Sequence, residues 1–176
     1  NGYAPSTRVN DISTNAPQYS RNKQLGGSLH LDWDFGGVTL TSITGYERYK
    51  TRGAGESDYT PLEISRGYTE ARSRQWTQEL RLASPQDDRL SWIFGLFYFN
   101  EDISSNGFSA TLPQGSVPAL PGMAPAAFSD TAYNHKAESG AVFGSPTFAF
   151  TDSVKLTLGG RWTRETKKVD FVRRAS

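Results

Sequence analysis

The chain is predicted to be all-β, an antiparallel segment of a transmembrane β-barrel with about six strands, short periplasmic turns and long extracellular loops. Three observations predict this. Apolar and polar residues alternate with period two over segments of about ten residues, the length a tilted strand needs to cross a bilayer and longer than the roughly 5–6 usual in soluble sheets. Short turns alternate with long loops along the chain, as in outer-membrane barrels. The aromatic residues sort to the two ends of the strands, where a membrane meets water.

Residues 1–23 are polar, contain proline and lack a period, and are read as a loop or lead-in. The first strand, about 24–35, sets Leu25, Leu29, Leu31, Trp33 and Phe35 against Gln24, Ser28, His30, Asp32 and Asp34. Gly36-Gly37 is the two-residue signal for a tight hairpin, where positive φ is needed. That loop length pairs Phe35 with Val38 and sends Val38, Leu40, Ser42, Thr44 and Tyr46 of the second strand, about 38–50, to the apolar side. Ile43 then points the other way, which leaves two readings open: a bulge near Ser42, or a less apolar exterior. A long loop is expected over 51–72.

The third strand, about 73–83, has Trp76, Leu80 and Leu82 on one side and Gln75, Thr77, Glu79 and Arg81 on the other. A turn at 84–89 leads into the fourth, about 90–102, with Leu90, Trp92, Phe94, Leu96 and Tyr98 on the apolar side. Residues 103–134, bearing Pro113, Pro118, Pro121 and Pro125, are read as a second long loop. The fifth strand, about 135–150, contains Pro146, which cannot donate to a ladder, so a bulge is expected there. After a turn at 151–153 the sixth, about 154–169, sends Val154, Leu156, Leu158 and Trp162 outward and Lys155, Thr157, Arg161, Thr163 and Glu165 inward. The barrel segment spans 24–170, and 171–176 begins a loop. With these directions, Tyr46, Tyr49, Trp76, Tyr98 and Trp162 fall at loop-side ends, and Trp33, Phe35, Trp92 and Phe150 at turn-side ends.

Bulk properties exclude several classes. The 176 residues suffice for one ordinary domain. A formal net charge of +1 with no basic block gives no support to a nucleic-acid partner. The absence of cysteine excludes disulfides, thiol catalysis and thiolate zinc sites. No apolar run approaches the ~18–20 residues of a membrane helix. Mean hydropathy is −0.57, which in a barrel reflects the cancelling of lipid-facing by lumen-facing residues. The N-terminal residues show no export-signal pattern, so the sequence is expected to be mature or partial.

The phrases TQELRLAS (Thr77–Ser84), WIFGLFYFNED (Trp92–Asp102), AVFGSPTFAFTDSVKLTLGGRWTRETKK (Ala141–Lys168) and LTSITGYERY (Leu40–Tyr49) resemble the barrel strands of TonB-dependent outer-membrane receptors. The resemblance covers about residues 24–170. It implies a barrel of more than about twenty strands filled by an N-terminal plug domain, in the outer membrane of a Gram-negative bacterium. It further implies import of a scarce nutrient, a ferric siderophore or similar small molecule or metal chelate. Energy would come from TonB, with ExbB and ExbD, through a plug domain absent from this chain. No TonB box and no terminal aromatic strand are visible, and Pro146 departs from the family pattern. Six strands do not close a barrel, whose smallest single-chain form has about eight. The chain therefore reads as a middle excerpt, unable to transport alone and prone to aggregate through its apolar face.

No catalytic, cofactor or metal site is expected. His30, Asp32 and Asp34 share a face, but strand spacing spreads ligands apart, so a polar lumen wall outweighs a metal site. Gln75, Glu79, Arg81, Lys155, Arg161 and Glu165 are read with them as lumen-facing, their charges answering one another across strands rather than doing acid–base work. No G-x-S-x-G elbow is present, and the chain is not read as an enzyme. Tyr59, Arg66, Tyr68 and Tyr133, in the expected long loops, are candidates for an extracellular ligand vestibule. Two alternatives remain at this level: a soluble β-sandwich carbohydrate-binding module, and a passive outer-membrane porin.

Overall fold

The structure, a computed structural model, describes residues 8, 12–86, 89–111 and 127–175. Its strands are β1 (Tyr19–Asp34), β2 (Thr39–Gly55), β3 (Ser65–Ala83), β4 (Leu90–Thr111), β5 (Ala127–Ala149), β6 (Lys155–Thr157) and β7 (Gly160–Ala175). They form one antiparallel sheet in which each strand pairs with the next in chain order, β6 and β7 both lying along β5. No helix among the described residues is long and apolar enough to cross a membrane.

A soluble sheet of this size hides one face under a second layer. Among the described residues there is none, and the buried apolar side chains are alanines, Ala110, Ala137 and Ala141. Leu29 and Leu158 are 56% and 63% exposed, and Leu31, Leu80 and Leu156 are exposed as well. A sandwich would have gathered these leucines into a dry centre. They stand instead on one open face.

The strands outrun the segments read from alternation. β1 begins at Tyr19, inside the expected lead-in, and pairs with residues as far as Ala54. The loop expected over 51–72 shrinks to 56–64. Of the one expected over 103–134, β4 takes residues up to Thr111 and β5 those from Ala127. Residues 112–126, with the four prolines, lie outside the described residues. β7 continues to Ala175, where a loop was expected from 171. The cause is common to all of these: alternation is visible only where one face is apolar, whereas the ladder needs only backbone groups.

The bulge expected at Pro146 does not form, and of the two readings left open at Ser42 the bulge is excluded. The register of β2 runs unbroken from Thr39 to Gly55 against both neighbours, so Ser42 faces the same way as Leu31 and Leu80 and the strand has a less apolar exterior. At Pro146 the register also holds, since Thr147 pairs with Thr157 and Gly144 with Gly160 in one phase. Leu158 N–H still donates to Pro146 O at 3.0 Å. Only the return bond that proline lacks is missing, and the arm is interrupted at 158–159 without a shift of side chains.

The first hairpin turns through Gly36 at φ +75° and Gly37 at φ +148°. Phe35 N–H donates to Val38 O at 3.0 Å, and Asp34 Oδ1 accepts the Gly36 N–H at 2.8 Å. An L-residue at Gly36 would be held in the left-handed region. Gly36→Ala is expected to lower the unfolding free energy of the detergent-folded full-length protein by about 1–2 kcal/mol, read from urea midpoints.

Candidate functional site

Directly paired residues share a face, so the register carries orientation across the whole sheet. His30, Asp32 and Asp34 on β1, Gln75, Glu79 and Arg81 on β3, Lys155 on β6, and Arg161 and Glu165 on β7 all fall on one face. Local pairs organise it. His30 Nε2 and Asp32 lie 3.2 Å apart, Thr41 donates to Asp32 at 2.5 Å, Glu79 pairs with Arg81, and Glu165 with Lys167 at 3.0 Å. Asp34 turns away to its hairpin amide. Among the described residues no three His, Asp or Glu side chains gather as a metal site would require.

The same face holds a feature that sequence reading missed. The Arg161 guanidinium sits over the rings of Phe97, at 5.4 Å, and Phe143, at 5.7 Å, while its Nε donates to Thr163 at 3.0 Å. Cation–π contact and a hydrogen bond thus fix an arginine on an otherwise mobile stem. The far end of the Phe143 ring in turn lies over Gly95, where a side chain would meet it. The signal was available: within Phe94–Phe99, Phe97 and Phe99 have the opposite parity to Phe94, Leu96 and Tyr98.

The other face carries almost all the exposed large apolar side chains of the strands, with Ile93, Val169 and Phe171 the exceptions. Its middle row runs Leu31, Ser42, Leu80, Leu96, Val142 and Trp162. Toward the longer connections the band ends in aromatics. Tyr46 faces Trp76, the Trp76 and Tyr98 rings lie 5.5 Å apart, and Tyr98 donates to Glu138 at 2.8 Å. Two expected members are placed elsewhere. Tyr49 is on the opposite face, bonded to Asn22 at 3.1 Å, and Trp162 sits in the middle row because β7 continues well past it.

Beyond these aromatics the same face turns charged. Glu70 accepts from Arg72 at 2.6 Å, Arg52 at 2.9 Å, Lys50 at 3.3 Å and Tyr68 at 2.9 Å. The Arg72 contact first, then Arg52 and Tyr68, holds its carboxyl down at about 2. A depressed carboxylate contributes stability above its unfolded value and loses it as pH falls through the folded one. Between pH 5 and 2 the thermal transition of the full-length protein is therefore expected to fall more steeply than that of a Glu70→Gln variant.

Only Tyr59 of the four vestibule candidates lies in a connection. It is exposed with φ 51°, in a loop built on Asp58, which accepts from Thr60 and Ser65 through both backbone and side chain. Burial opposes ionisation of Asp58, but these bonds outweigh it and lower its pKa. Arg66 and Tyr68 are on β3 and Tyr133 on β5, because the strands extend into the expected loops. Arg66 pairs with Glu63, and Tyr68 lines a shallow hollow with Phe108 and Val172. Tyr133 faces the opposite way, stacked on His135 at 6.3 Å. The four therefore do not converge.

Residues 1–176 match the model of the TonB dependent receptor-like β-barrel family.

Proposed function

The chain belongs to the TonB-dependent receptor β-barrel family, whose members are outer-membrane transporters rather than enzymes, and from that premise we propose that it forms part of the wall of a receptor importing a scarce nutrient, a ferric siderophore or similar chelate. The apolar face meets lipid. The face bearing His30, Asp32, Gln75, Glu79, Arg81, Lys155, Arg161 and Glu165 lines the lumen, where it contacts a plug domain contributed by sequence outside these residues. Energy arrives from TonB, with ExbB and ExbD, through that plug. The connections at 35–38, between β3 and β4 and at 150–154 are on the periplasmic side, and those at 56–64 and between β4 and β5 are on the extracellular side.

One observation carries this reading: among the described residues there is a single sheet whose strand leucines stand on one face with no second layer over them. Lipid is the cover that removes such a face from water. The porin alternative has no comparable support, since it needs no plug-coupled family.

Outer-membrane fractionation of the full-length protein, followed by uptake of a panel of radiolabelled ferric chelates with and without TonB, tests the proposal. Membrane residence and TonB-dependent uptake are expected; uptake indifferent to loss of TonB contradicts it.

A further inference from the structure

The register sorts the charges of the lumen-side face by strand. On β1 to β4 that face carries Asp32, Asp34, Glu47, Glu79 and Glu101, with Arg81 as its one lysine or arginine among the described residues. On β5 to β7 it carries Lys155, Arg161, Lys167 and Arg173, with Glu165 as its one carboxylate among the described residues. One part of the wall is acidic and the adjoining part basic.

Several of these groups are answered nearby, Glu79 by Arg81 and Glu165 by Lys167. Arg161 is not. Its Nε is spent on Thr163, its guanidinium lies over the Phe97 and Phe143 rings, and no carboxylate pairs with it among the described residues. The neighbouring rows explain this. Arg161 shares a row with Phe143, Gly95 and Arg81, and the row above it runs Thr163, Ala141, Phe97 and Glu79. Glu79 is thus three strands off, about 14 Å, and Glu165 lies four residues on along β7, about 13 Å. Ala141, 7% exposed, leaves room for the guanidinium to lean back across it toward β4. Depth matters too. The next residue, Trp162, sits in the middle row of the lipid side, so Arg161 stands near mid-depth on the lumen side.

We infer that Arg161 is a subsite for anionic cargo in transit, holding the carboxylate or catecholate oxygens of a negatively charged chelate against the basic part of the wall between its outer binding site and its exit. The inference rests on the transport reading above and narrows it to cargo that bears negative charge. An anion inside this lumen is repelled from β1 to β4 and drawn toward β5 to β7, because a cleft lined by one sign of charge focuses its field. There it meets a guanidinium already fixed by two rings and a hydroxyl, with both Nη groups free to grip oxygens in bidentate fashion. A site on a path must also let go. One arginine, rather than a cage of them, gives binding strong enough to enter and weak enough to leave.

The test uses the full-length receptor in cells, with radiolabelled trianionic ferric tris-catecholates and uncharged ferric tris-hydroxamates. A trianionic chelate should be imported. Arg161→Gln should lower its maximal TonB-dependent uptake rate by about tenfold or more, the loss of one hydrogen-bonded charge contact, with surface binding in cells lacking TonB unchanged within about twofold. Arg161→Lys should keep most of the rate, which separates lost charge from misfolding. Import of uncharged chelates alone overturns the inference, as does an unchanged rate in Arg161→Gln or an equal fall for both kinds of chelate. So does entry of a large antibiotic into Arg161→Gln cells lacking TonB, which marks a lost plug contact instead. These results leave TonB-dependent import standing, whereas uptake of every chelate indifferent to TonB sinks the transport reading itself.

Discussion

Leu80→Arg in the full-length receptor is expected to lower barrel stability by about 2–4 kcal/mol, the range for a cation at the bilayer midplane on a lipid-facing site. Leu80 occupies the middle row between Ser42 and Leu96, several residues from the polar rim at either end. An arginine there has no carboxylate within its row and must reach past Gln78 and Trp76 to leave hydrocarbon. Gln75→Arg makes the contrasting case. It adds the same side chain on the other face, opposite Glu47 and Glu101, and should change stability by no more than about 0.5 kcal/mol. Urea unfolding in vesicles compares the two. Similar losses from both would contradict the two-faced assignment.

Gly95→Ala should destabilise by about 1–3 kcal/mol, as overpacking of a filled site does. A Cβ at this position would lie 2.2 Å from Phe143 Cζ, with the neighbouring ring carbons at 2.6 and 2.7 Å. The ring must move, and the Arg161 guanidinium 5.7 Å from its centroid is the contact that movement disturbs. Because the loss arises from one contact, Gly95→Ala combined with Phe143→Ala should cost less than the sum of the two single changes, a coupling readable in a double-mutant cycle. Strict additivity would show that the ring does not lie over Gly95.

Much of this architecture was legible in residue order, and for a physical reason. A strand with hydrocarbon on one side and water on the other must alternate, so the parity of Leu29, Leu31, Leu80, Leu82, Leu96 and Leu156 gave away both the strands and their faces. The Gly36-Gly37 hairpin then fixed the pairing of Phe35 with Val38, and every later register follows in chain order. What stayed hidden lay where that signal stops. From Tyr19 to Lys23, from Thr51 to Gly55 and from Ser65 to Arg72 both faces are polar, so nothing in the side chains announces that the ladder continues. Arg66, Tyr68 and Tyr133 therefore read as loop residues from sequence alone. Pro146 misled differently. A missing donor suggested a bulge, yet losing one ladder bond next to a turn is tolerable where shifting every later side chain to the wrong face is not. The Phe97–Arg161–Phe143 contact depends on which strands are neighbours, and no single strand encodes that.

The central claim is that successive side chains along one strand meet lipid and water in turn. Since the chain contains no cysteine, single cysteines at 76–82 of the full-length receptor can carry nitroxide labels in a bilayer without background from this region, and collisions with dissolved oxygen and a water-soluble nickel complex can be counted. Oxygen should dominate at Gln78, Leu80 and Leu82 and nickel at Thr77, Glu79 and Arg81. A profile without period two, or one in which Leu80 is shielded from both reagents, would contradict the account.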